Sequence, residues 1–335
     1  MSHIAIIGAG SWGTAIAMVL ARRGGHTITL WSHTESVAAS IANSRENRSY
    51  LPGIPVPENV HVTSNLQAAL DQAEILVMVV PSEHLRATMH AMTPFLSSQQ
   101  VIVNATKGLE DGTCLRMTQV IGDVLAKGSL SLPCCVLSGP SFAQEVASGS
   151  PTAITIASSL PELAARIREE FSGPSLRLYT NEDVVGVELG GALKNVIALA
   201  SGVVTGLGLG HNSIAALITR GIAEMTRLAI PNGGKRETLA GLAGLGDLVL
   251  TCTGTLSRNR YVGMELGRGR RLDEILAGMR GKVAEGVRTT RAALGLAAKF
   301  NVEMPITEQV AAVLAEQLSP LEAMRELMSR PGRDE

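Results

Sequence analysis

The sequence of 335 residues has few cysteines and no pattern that would bind a metal ion. Its four cysteines form no C-x-x-C pair, and its seven histidines form no H-E-x-x-H motif. Metal and redox sites usually carry spacings of this kind. We therefore expect reduced thiols, a cytoplasmic protein and no metal centre.

The chain also lacks an excess of one charge and a long apolar segment. Its 29 Lys+Arg and 30 Asp+Glu residues leave a formal net charge of −1, so the basic footprint of a nucleic-acid-binding protein is missing. No segment reaches the roughly 18 uninterrupted apolar residues of a membrane span. The apolar N-terminal stretch has neither a basic region before it nor a cleavage site. We expect neither nucleic acid nor membrane insertion.

A glycine motif follows the first apolar run of the chain. Residues 4–13, IAIIGAGSWG, place Gly8, Gly10 and Gly13 in the G-x-G-x-x-G spacing, after an apolar run and before a helical pattern. Gly8 allows a tight turn, Gly10 leaves room for a pyrophosphate, and Gly13 lets the helix lie close to the strand. The N–H groups at the helix start would bind the pyrophosphate. A purely structural glycine turn is the alternative, but the strand and helix on either side favour a dinucleotide site.

The end of the second predicted strand bears on which dinucleotide would bind. An NAD site usually has an acid about twenty residues after the glycines, where it holds the ribose 2′-hydroxyl. Here the strand at 27–31 is followed by Ser32 and His33, and the nearest acid is Glu35. Because no carboxylate would repel a 2′-phosphate, the sequence favours NADP over NAD, with His33 and Ser32 as donors. The alternative for His33 is an ordinary exposed loop residue.

Strand and helix patterns alternate through the first half of the chain. The continuous apolar run 75–80 indicates a parallel strand that is buried on both faces, and the next strand is expected at 101–104. Further strands are expected at 152–157 and 176–179, and the proline-rich residues 43–59 indicate a loop. These patterns predict the α/β class, with an N-terminal Rossmann-type doubly wound parallel sheet and extra strands.

Ligands of such sheets bind beyond the carboxyl ends of the strands. Lys107 follows the strand at 101–104, and residues 138–141, SGPS, follow the strand near 132–137. Lys107 is therefore a candidate site residue, although an ordinary surface lysine would fit the same position.

From about residue 184 helical periodicity replaces the strands, which predicts an all-α C-terminal domain. We expect residues 1–183 to form a dinucleotide-binding domain and 184–335 a helical substrate and catalytic domain. The helix predicted at 185–204 is apolar nearly all round, yet it carries Lys194 in its middle. Burial would lower the pKa of a lysine and suit it to proton transfer. The alternative is a side chain that snorkels to water.

Two polar groups further along could belong with Lys194. Asp247 lies among apolar residues and needs a partner, for which Lys194 is our candidate. Ser257 and Arg258 open another helix, where a hydroxyl, a guanidinium and free N–H groups could bind a phosphate. The alternative is that Ser257 is only a helix cap and Arg258 only exposed.

Two other segments of the second half carry no candidate chemistry by pattern alone. Arg220, Glu224 and Arg227 have helical spacing and are interpreted as a solvated row of ion pairs. Residues 283–286, VAEG, are expected in a loop before the helix near 289–300.

Several segments together closely resemble the NAD(P)-dependent glycerol-3-phosphate dehydrogenases of the bacterial type. They span essentially the whole chain: GAGSWGTA, ATKGLE, SGPSFAQE, LGGALKNVIA, LITRGIAEM, AGLGDLVLTCT, SRNR, VAEG and EMPIT. The resemblance implies hydride exchange between a nicotinamide and C2 of dihydroxyacetone phosphate or glycerol 3-phosphate, a role in supplying phospholipid precursors, and a homodimer. The alternatives are a related reductase of the β-hydroxyacid dehydrogenase type, and a redox sensor that binds NADP without turnover.

The resemblance also implies roles for individual residues. Lys194 would be the proton acceptor, aligned by Asp247, and Lys107 would place positive charge near the developing alkoxide. Besides the three glycines, the residues expected at the cofactor are Ser11, Trp12, Ser32, His33, Lys107, Ala143, Arg258, Val283 and Glu285. The residues expected around the substrate are Lys107, Gly139, Ser141, Lys194, Asn195, Asp247, Ser257, Arg258 and Asn259.

Overall fold

The computed structural model describes residues 2–279 and 284–331. The chain divides into two compact units. The first unit consists of Met1–Lys107 and Arg116–Val184, and the second of Gly108–Leu115 and Val185–Glu335. The short segment 108–115 therefore belongs with the helical part of the chain, although it lies between two elements of the first unit.

The first unit is built on one large sheet and a small hairpin. The strands are β1 (Ser2–Ile7), β2 (His26–Trp31), β3 (Glu46–Asn47), β4 (Leu51–Pro55), β5 (Val60–Thr63), β6 (Ile75–Met78), β7 (Val101–Asn104), β8 (Cys134–Ser138), β9 (Thr152–Ala157) and β10 (Leu176–Asn181). Eight of them form the sheet in the order β10-β9-β8-β7-β6-β1-β2-β5. Neighbours are parallel except β8 and β9, which are antiparallel. The predicted Rossmann-type sheet with extra strands is confirmed.

Helices cover this sheet and close its core. They are α1 (Ser11–Arg23), α2 (Glu35–Ser44), α3 (Leu66–Leu70), α4 (Ser82–Met92), α5 (Met117–Lys127), α6 (Ala143–Ala147) and α7 (Pro161–Phe171). Every residue of β6 and β7 is buried, which explains why β6 is an unbroken apolar run and why β7 is apolar except at its last residue, Asn104. Ile4, Ile16 and Phe171 are among the residues that fill the core.

The segment predicted as a loop at 43–59 instead contains the antiparallel hairpin of β3 and β4. The prediction was wrong because the strands are very short and β4 includes two prolines, Pro52 and Pro55. Proline has no backbone N–H to donate and is found in sheets mainly at their edges, so a segment with two prolines does not resemble a strand by sequence. Asn47 in this hairpin is buried, with 1% of its surface exposed.

The second unit is helical, as predicted. Its helices are α8 (Val184–Gly206), α9 (His211–Ala229), α10 (Arg236–Ala240), α11 (Asp247–Thr253), α12 (Arg258–Gly267), α13 (Leu272–Gly278), α14 (Glu285–Lys299), α15 (Pro305–Leu314) and α16 (Pro320–Ser329). Among the described residues, only α8 is long and apolar enough to cross a membrane. Every residue from Gly186 to Gly202 is buried inside the protein, as in the core helix of a globular domain.

Glu224 on α9 is buried rather than part of a solvated ion-pair row, so that interpretation was wrong. Its carboxylate accepts hydrogen bonds from the backbone N–H of Ile306 at 2.8 Å, and from the backbone N–H and hydroxyl of Thr307 at 3.0 and 2.7 Å. The first N–H groups of a helix have no partner within the helix. Glu224 therefore caps α15 from a different helix, which a spacing along α9 alone does not reveal.

We expect Glu224→Gln to destabilise the protein by about 1–3 kcal/mol at mildly acidic pH. The amide NH₂ would take the place of one carboxylate oxygen, so a donor that this oxygen now accepts from would face another donor. Burial raises the pKa of Glu224 above its ordinary 4.5, although the three hydrogen bonds act against that rise. Folding therefore favours the protonated acid. The contribution of this titration to stability is present below the ordinary pKa and is lost as the pH rises through the raised pKa.

The advantage of the wild type over Glu224→Gln should accordingly shrink as the pH rises, which urea unfolding at several pH values would measure. Arg220→Ala, on an exposed position of the same helix, serves as the control and should change stability by less than about 0.5 kcal/mol. Equal stability of the wild type and Glu224→Gln at every pH would contradict the capping role.

Candidate functional site

The glycine turn of the first unit joins β1 to α1. Gly8 has φ +125°, a conformation that residues with a side chain rarely adopt. A Cβ at Gly13 would lie 1.9 Å from the carbonyl oxygen of Gly8, so a side chain there would require the backbone to move. A Cβ at Gly10 would meet no described atom within 4 Å, and no described side chain caps α1 at this end. Open space before an uncapped helix N-terminus suits the pyrophosphate of a dinucleotide.

The first two residues of α1 lie beside the hairpin or inside the fold. The hydroxyl of Ser11 donates to the carbonyl oxygen of Tyr50 at 2.7 Å. The indole N–H of Trp12 is buried and has no acceptor among the described residues. Both residues occupy the turn where the sequence placed them, and their contact with a cofactor stays a prediction.

At the end of β2 the structure separates the two proposed phosphate donors. Ser32 is buried, and its hydroxyl donates to the carbonyl oxygen of Thr34 at 3.1 Å and accepts from the Thr34 N–H at 3.3 Å. His33 is exposed, with its ring centroid 6.0 Å from that of Trp31 in an edge arrangement. Ser32 thus shapes the turn, and His33 is the side chain that solvent can reach.

At the carboxyl edge of the sheet, Lys107 is tied to the loop that follows β8. Its ammonium donates to the carbonyl oxygen of Gly139 at 3.3 Å, and the hydroxyl of Ser141 donates to the same oxygen at 2.9 Å. Ala143 begins α6 at the end of this loop. The structure therefore brings Lys107, Gly139 and Ser141 together within the first unit, and Lys107 is half-buried rather than an ordinary surface lysine.

In the second unit, Lys194 and Asp247 form a buried ion pair. Lys194 is 7% exposed and Asp247 is 1% exposed, and the ammonium nitrogen lies 2.8 Å from Oδ1 of Asp247. The ammonium also donates to the hydroxyl of Thr251 at 2.7 Å, and this hydroxyl donates to the backbone carbonyl of Asp247 at 2.6 Å. Lys194 does not snorkel to water, since both acceptors hold it inside the fold.

Thr251 was not among the residues singled out from the sequence. It lies four positions after Asp247 on α11, so both side chains point to the same helix face. That spacing was the available signal. A π-helical stretch, Leu242–Gly246, leads into α11, and a Cβ at Gly190 of α8 would lie 2.6 Å from the carbonyl oxygen of Ala243. Small residues therefore let α8 approach this segment closely enough for the ion pair to form.

The thiol of Cys252 lies in the same buried region. Burial raises its pKa to about 12, although the positive charge of Lys194 acts in the opposite direction. The thiol is therefore protonated at neutral pH and is no candidate nucleophile. The described residues contain no group of three or more His, Cys, Asp or Glu that could hold a metal ion.

A chain of hydrogen bonds links α8, α12 and α14. Asn195 donates to Oε2 of Glu285 at 3.3 Å, and Asn259 donates to Oδ1 of Asn195 at 2.9 Å. The backbone N–H of Gly286 donates to Oδ1 of Asn259 at 2.9 Å. Glu285 and Gly286 are the first two residues of α14 rather than part of a loop, so the loop prediction for this segment was wrong at these two positions. Val283 lies outside the described residues.

The start of α12 carries the remaining predicted residues. The hydroxyl of Ser257 accepts a hydrogen bond from the backbone N–H of Arg260 at 3.2 Å and so caps the helix. Arg258 follows as the first residue of α12 and is exposed. The structure thus places a guanidinium at a helix N-terminus, and its contact with a phosphate stays a prediction.

Comparison with known proteins matches both halves of the chain to one family. The description NAD-dependent glycerol-3-phosphate dehydrogenase N-terminus applies to residues 3–164, and the C-terminus of the same family to residues 183–325. A glycerol-3-phosphate dehydrogenase (NAD(P)+) of Acidobacterium capsulatum is 65% identical over 338 residues and is covered, like this chain, to 100%. That of Koribacter versatilis is 60% identical over 335 residues, with 100% of this chain and 99% of the relative covered.

A solved structure agrees with these sequence relatives. The crystal structure of glycerol-3-phosphate dehydrogenase from Coxiella burnetii superposes with a TM-score of 0.93 at 42% identity, over 98% of this chain and 99% of that one. The fold, the matches to both halves of the sequence and these relatives all indicate the same family. The chain belongs to the NAD-dependent glycerol-3-phosphate dehydrogenase family.

Proposed function

We propose that Lys194 is the acid–base group of the reaction that this chain catalyses. As a member of its family the chain is an oxidoreductase that interconverts dihydroxyacetone phosphate and sn-glycerol 3-phosphate with NAD(P)H, and so supplies glycerol 3-phosphate for phospholipid synthesis. The observation that supports this role for Lys194 is its buried pairing with Asp247 at 2.8 Å. A buried ion pair is costly in free energy because both charges lose their hydration, so a catalytic role would explain its presence here.

The chemistry divides between the cofactor and the protein. When bound, NAD(P)H supplies the hydride that reduces the carbonyl carbon C2. Lys194 donates a proton to the oxygen on C2 during reduction and accepts it back in the reverse direction. Asp247 and Thr251 each accept a hydrogen bond from the ammonium and thereby fix where its proton is delivered.

Binding of the substrate phosphate is assigned to the start of α12. Arg258 offers a guanidinium, and the helix N-terminus offers N–H groups and the positive end of its dipole. Asn259 and Asn195 hold this region in place through their hydrogen-bond chain. In the first unit, Lys107, Gly139 and Ser141 are proposed as further substrate residues, with Lys107 as the cation for the oxygen that gains charge.

The cofactor assignment follows the glycine turn and the end of β2. The uncapped N-terminus of α1 would hold the pyrophosphate, and Ser11, Trp12, Ala143 and Glu285 are proposed as further contacts. NAD(P) is the cofactor of the family, and we propose that NADP is preferred here because exposed His33 stands where an NAD site has an acid. The ratio of kcat/KM for NADPH to that for NADH measures this preference.

The family resemblance further supports a homodimer in the cytoplasm. Light scattering on the purified protein would establish its mass in solution, and a monomer at working concentration would remove the dimer from the proposal.

The decisive test of the activity is the loss of NADPH absorbance with dihydroxyacetone phosphate as substrate. We expect consumption that depends on this substrate. A redox sensor would bind NADPH without consuming it, and a β-hydroxyacid dehydrogenase would turn over an unphosphorylated acid instead. Either of those results would overturn the assigned substrate.

Arg258→Ala should raise the KM for dihydroxyacetone phosphate by about 10- to 100-fold, because a charge-assisted hydrogen bond to phosphate is lost. Steady-state kinetics would measure this effect. The control is Arg268→Ala at the other end of α12, where the guanidinium pairs with Glu265; its KM should stay that of the wild type. An unchanged KM in Arg258→Ala would remove this residue from the phosphate site.

A further inference from the structure

The hairpin that the sequence did not predict is fastened to the glycine turn by one buried side chain. The amide nitrogen of Asn47 donates to the carbonyl oxygen of Ala9 at 2.9 Å and to the hydroxyl of Thr14 at 2.8 Å. The amide oxygen of Asn47 accepts from the backbone N–H of Tyr50 at 3.2 Å. The carbonyl of Tyr50 in turn accepts from Ser11. Together these bonds connect the hairpin to both sides of the turn.

The two acceptors of Asn47 lie at either end of the cofactor turn. Ala9 stands between Gly8 and Gly10, and Thr14 lies in the first turn of α1. One amide group therefore fixes the peptide before Gly10 relative to the helix whose N–H groups follow it. A turn that is rich in glycine can adopt many conformations. Because the hydrogen bonds of Asn47 already restrict the turn, less conformational entropy is lost when the cofactor binds.

We propose that Asn47 is a positioning residue for the dinucleotide: it holds the glycine turn in the conformation that binds the pyrophosphate, without touching the cofactor itself. This inference rests on the proposed function of the turn. It assigns the hairpin of β3 and β4 a part in cofactor affinity. A merely structural Asn47 would instead affect stability and the fraction of active enzyme.

The test is the affinity of Asn47→Ala for NADPH, measured by titration calorimetry on the full chain and by steady-state kinetics. We expect the Kd and the KM for NADPH to rise about tenfold, because the variant loses both hydrogen bonds that the side chain donates to the turn. The kcat at saturating NADPH and the KM for dihydroxyacetone phosphate should stay within about twofold, since the side-chain hydrogen bonds of Asn47 join Ala9, Thr14 and Tyr50 and none of the residues proposed at the substrate. A lower kcat with unchanged KM and Kd would show a structural role only and overturn the proposal.

The chain offers a matched control in Asn59. Its amide nitrogen donates to the carbonyl oxygen of Ala21 at 3.0 Å, which is the same kind of bond at the opposite end of α1. Asn59→Ala should leave the Kd for NADPH within about twofold of the wild type. An equal loss of affinity in both variants would mean that loss of any side-chain hydrogen bond to α1 weakens binding, and it would contradict a specific role for Asn47.

A second variant covers the case in which Asn47→Ala does not fold. Thr14→Val keeps the shape of the side chain and removes one acceptor, so it should raise the Kd for NADPH about threefold. Wild-type protein that fails to bind NADPH would refute the proposed function and this inference together. Wild-type protein that binds NADPH, beside an Asn47→Ala or Thr14→Val variant that binds equally well, would refute this inference alone.

Discussion

Lys194→Ala is expected to lower kcat for dihydroxyacetone phosphate by about 10²- to 10⁴-fold, the usual contribution of a general acid. The reason is that the ammonium nitrogen, held by Asp247 and Thr251, is the proposed source of the proton for the C2 oxygen. Binding of NADPH to the glycine turn should persist in this variant. A kcat close to that of the wild type would remove Lys194 from the acid–base role.

This variant needs a control because removal of one partner leaves a buried charge unpaired. Breaking a buried ion pair in this way costs about 3–5 kcal/mol, which alone could reduce activity. The double variant Lys194→Met with Asp247→Asn removes both charges and should regain much of that stability. If turnover remains absent while the melting temperature recovers, the loss is chemical. If turnover recovers with stability, the pair is structural.

Gly263→Ala should destabilise the second unit by about 3 kcal/mol and lower activity with it. A Cβ at Gly263 of α12 would lie 1.9 Å from the carbonyl oxygen of Leu199 on α8, which no rotation of a side chain can relieve. The two helices would have to move apart, and they carry Lys194 and Arg258. Chemical denaturation and kcat/KM for dihydroxyacetone phosphate would measure both effects.

Gly122→Ala provides the opposite outcome as a control. Gly122 lies within α5, and a Cβ there would meet no described atom within 4 Å. Alanine should therefore stabilise the protein by about 0.5–1 kcal/mol through its higher helix propensity. If both glycine variants changed stability alike, contact between α8 and α12 would not explain the effect.

Much of this fold was predictable because its strongest signals are local. The run before Gly8, the apolar strands β6 and β7, and the apolar helix α8 each carry their pattern within a few residues. The predicted fold class and the predicted family are both confirmed. The pairing of Lys194 with Asp247 was also expected, because two charged residues in apolar surroundings have few other ways to be satisfied.

The features that the sequence did not reveal depend on contacts between distant segments. Glu224 has the spacing of a surface ion pair, and only the approach of α15 shows that it is a buried cap. Asn47 lies among prolines and polar residues that indicate a loop, and only its hydrogen bonds to Ala9 and Thr14 show that it anchors the hairpin to the glycine turn. Such partners lie many residues away, so no local pattern specifies them.

The connectivity of the chain has a practical consequence for dissecting the enzyme. Residues 108–115 belong to the second unit, where Leu109 and Cys114 lie in its hydrophobic core and Lys299 donates to the carbonyl oxygen of Thr113 at 2.8 Å. A fragment that starts at residue 184 would lack these side chains and leave a gap in its interior. The helical part is therefore not one uninterrupted piece of polypeptide, and a C-terminal fragment expressed alone would need residues 108–115, which the N-terminal half carries, to complete its interior.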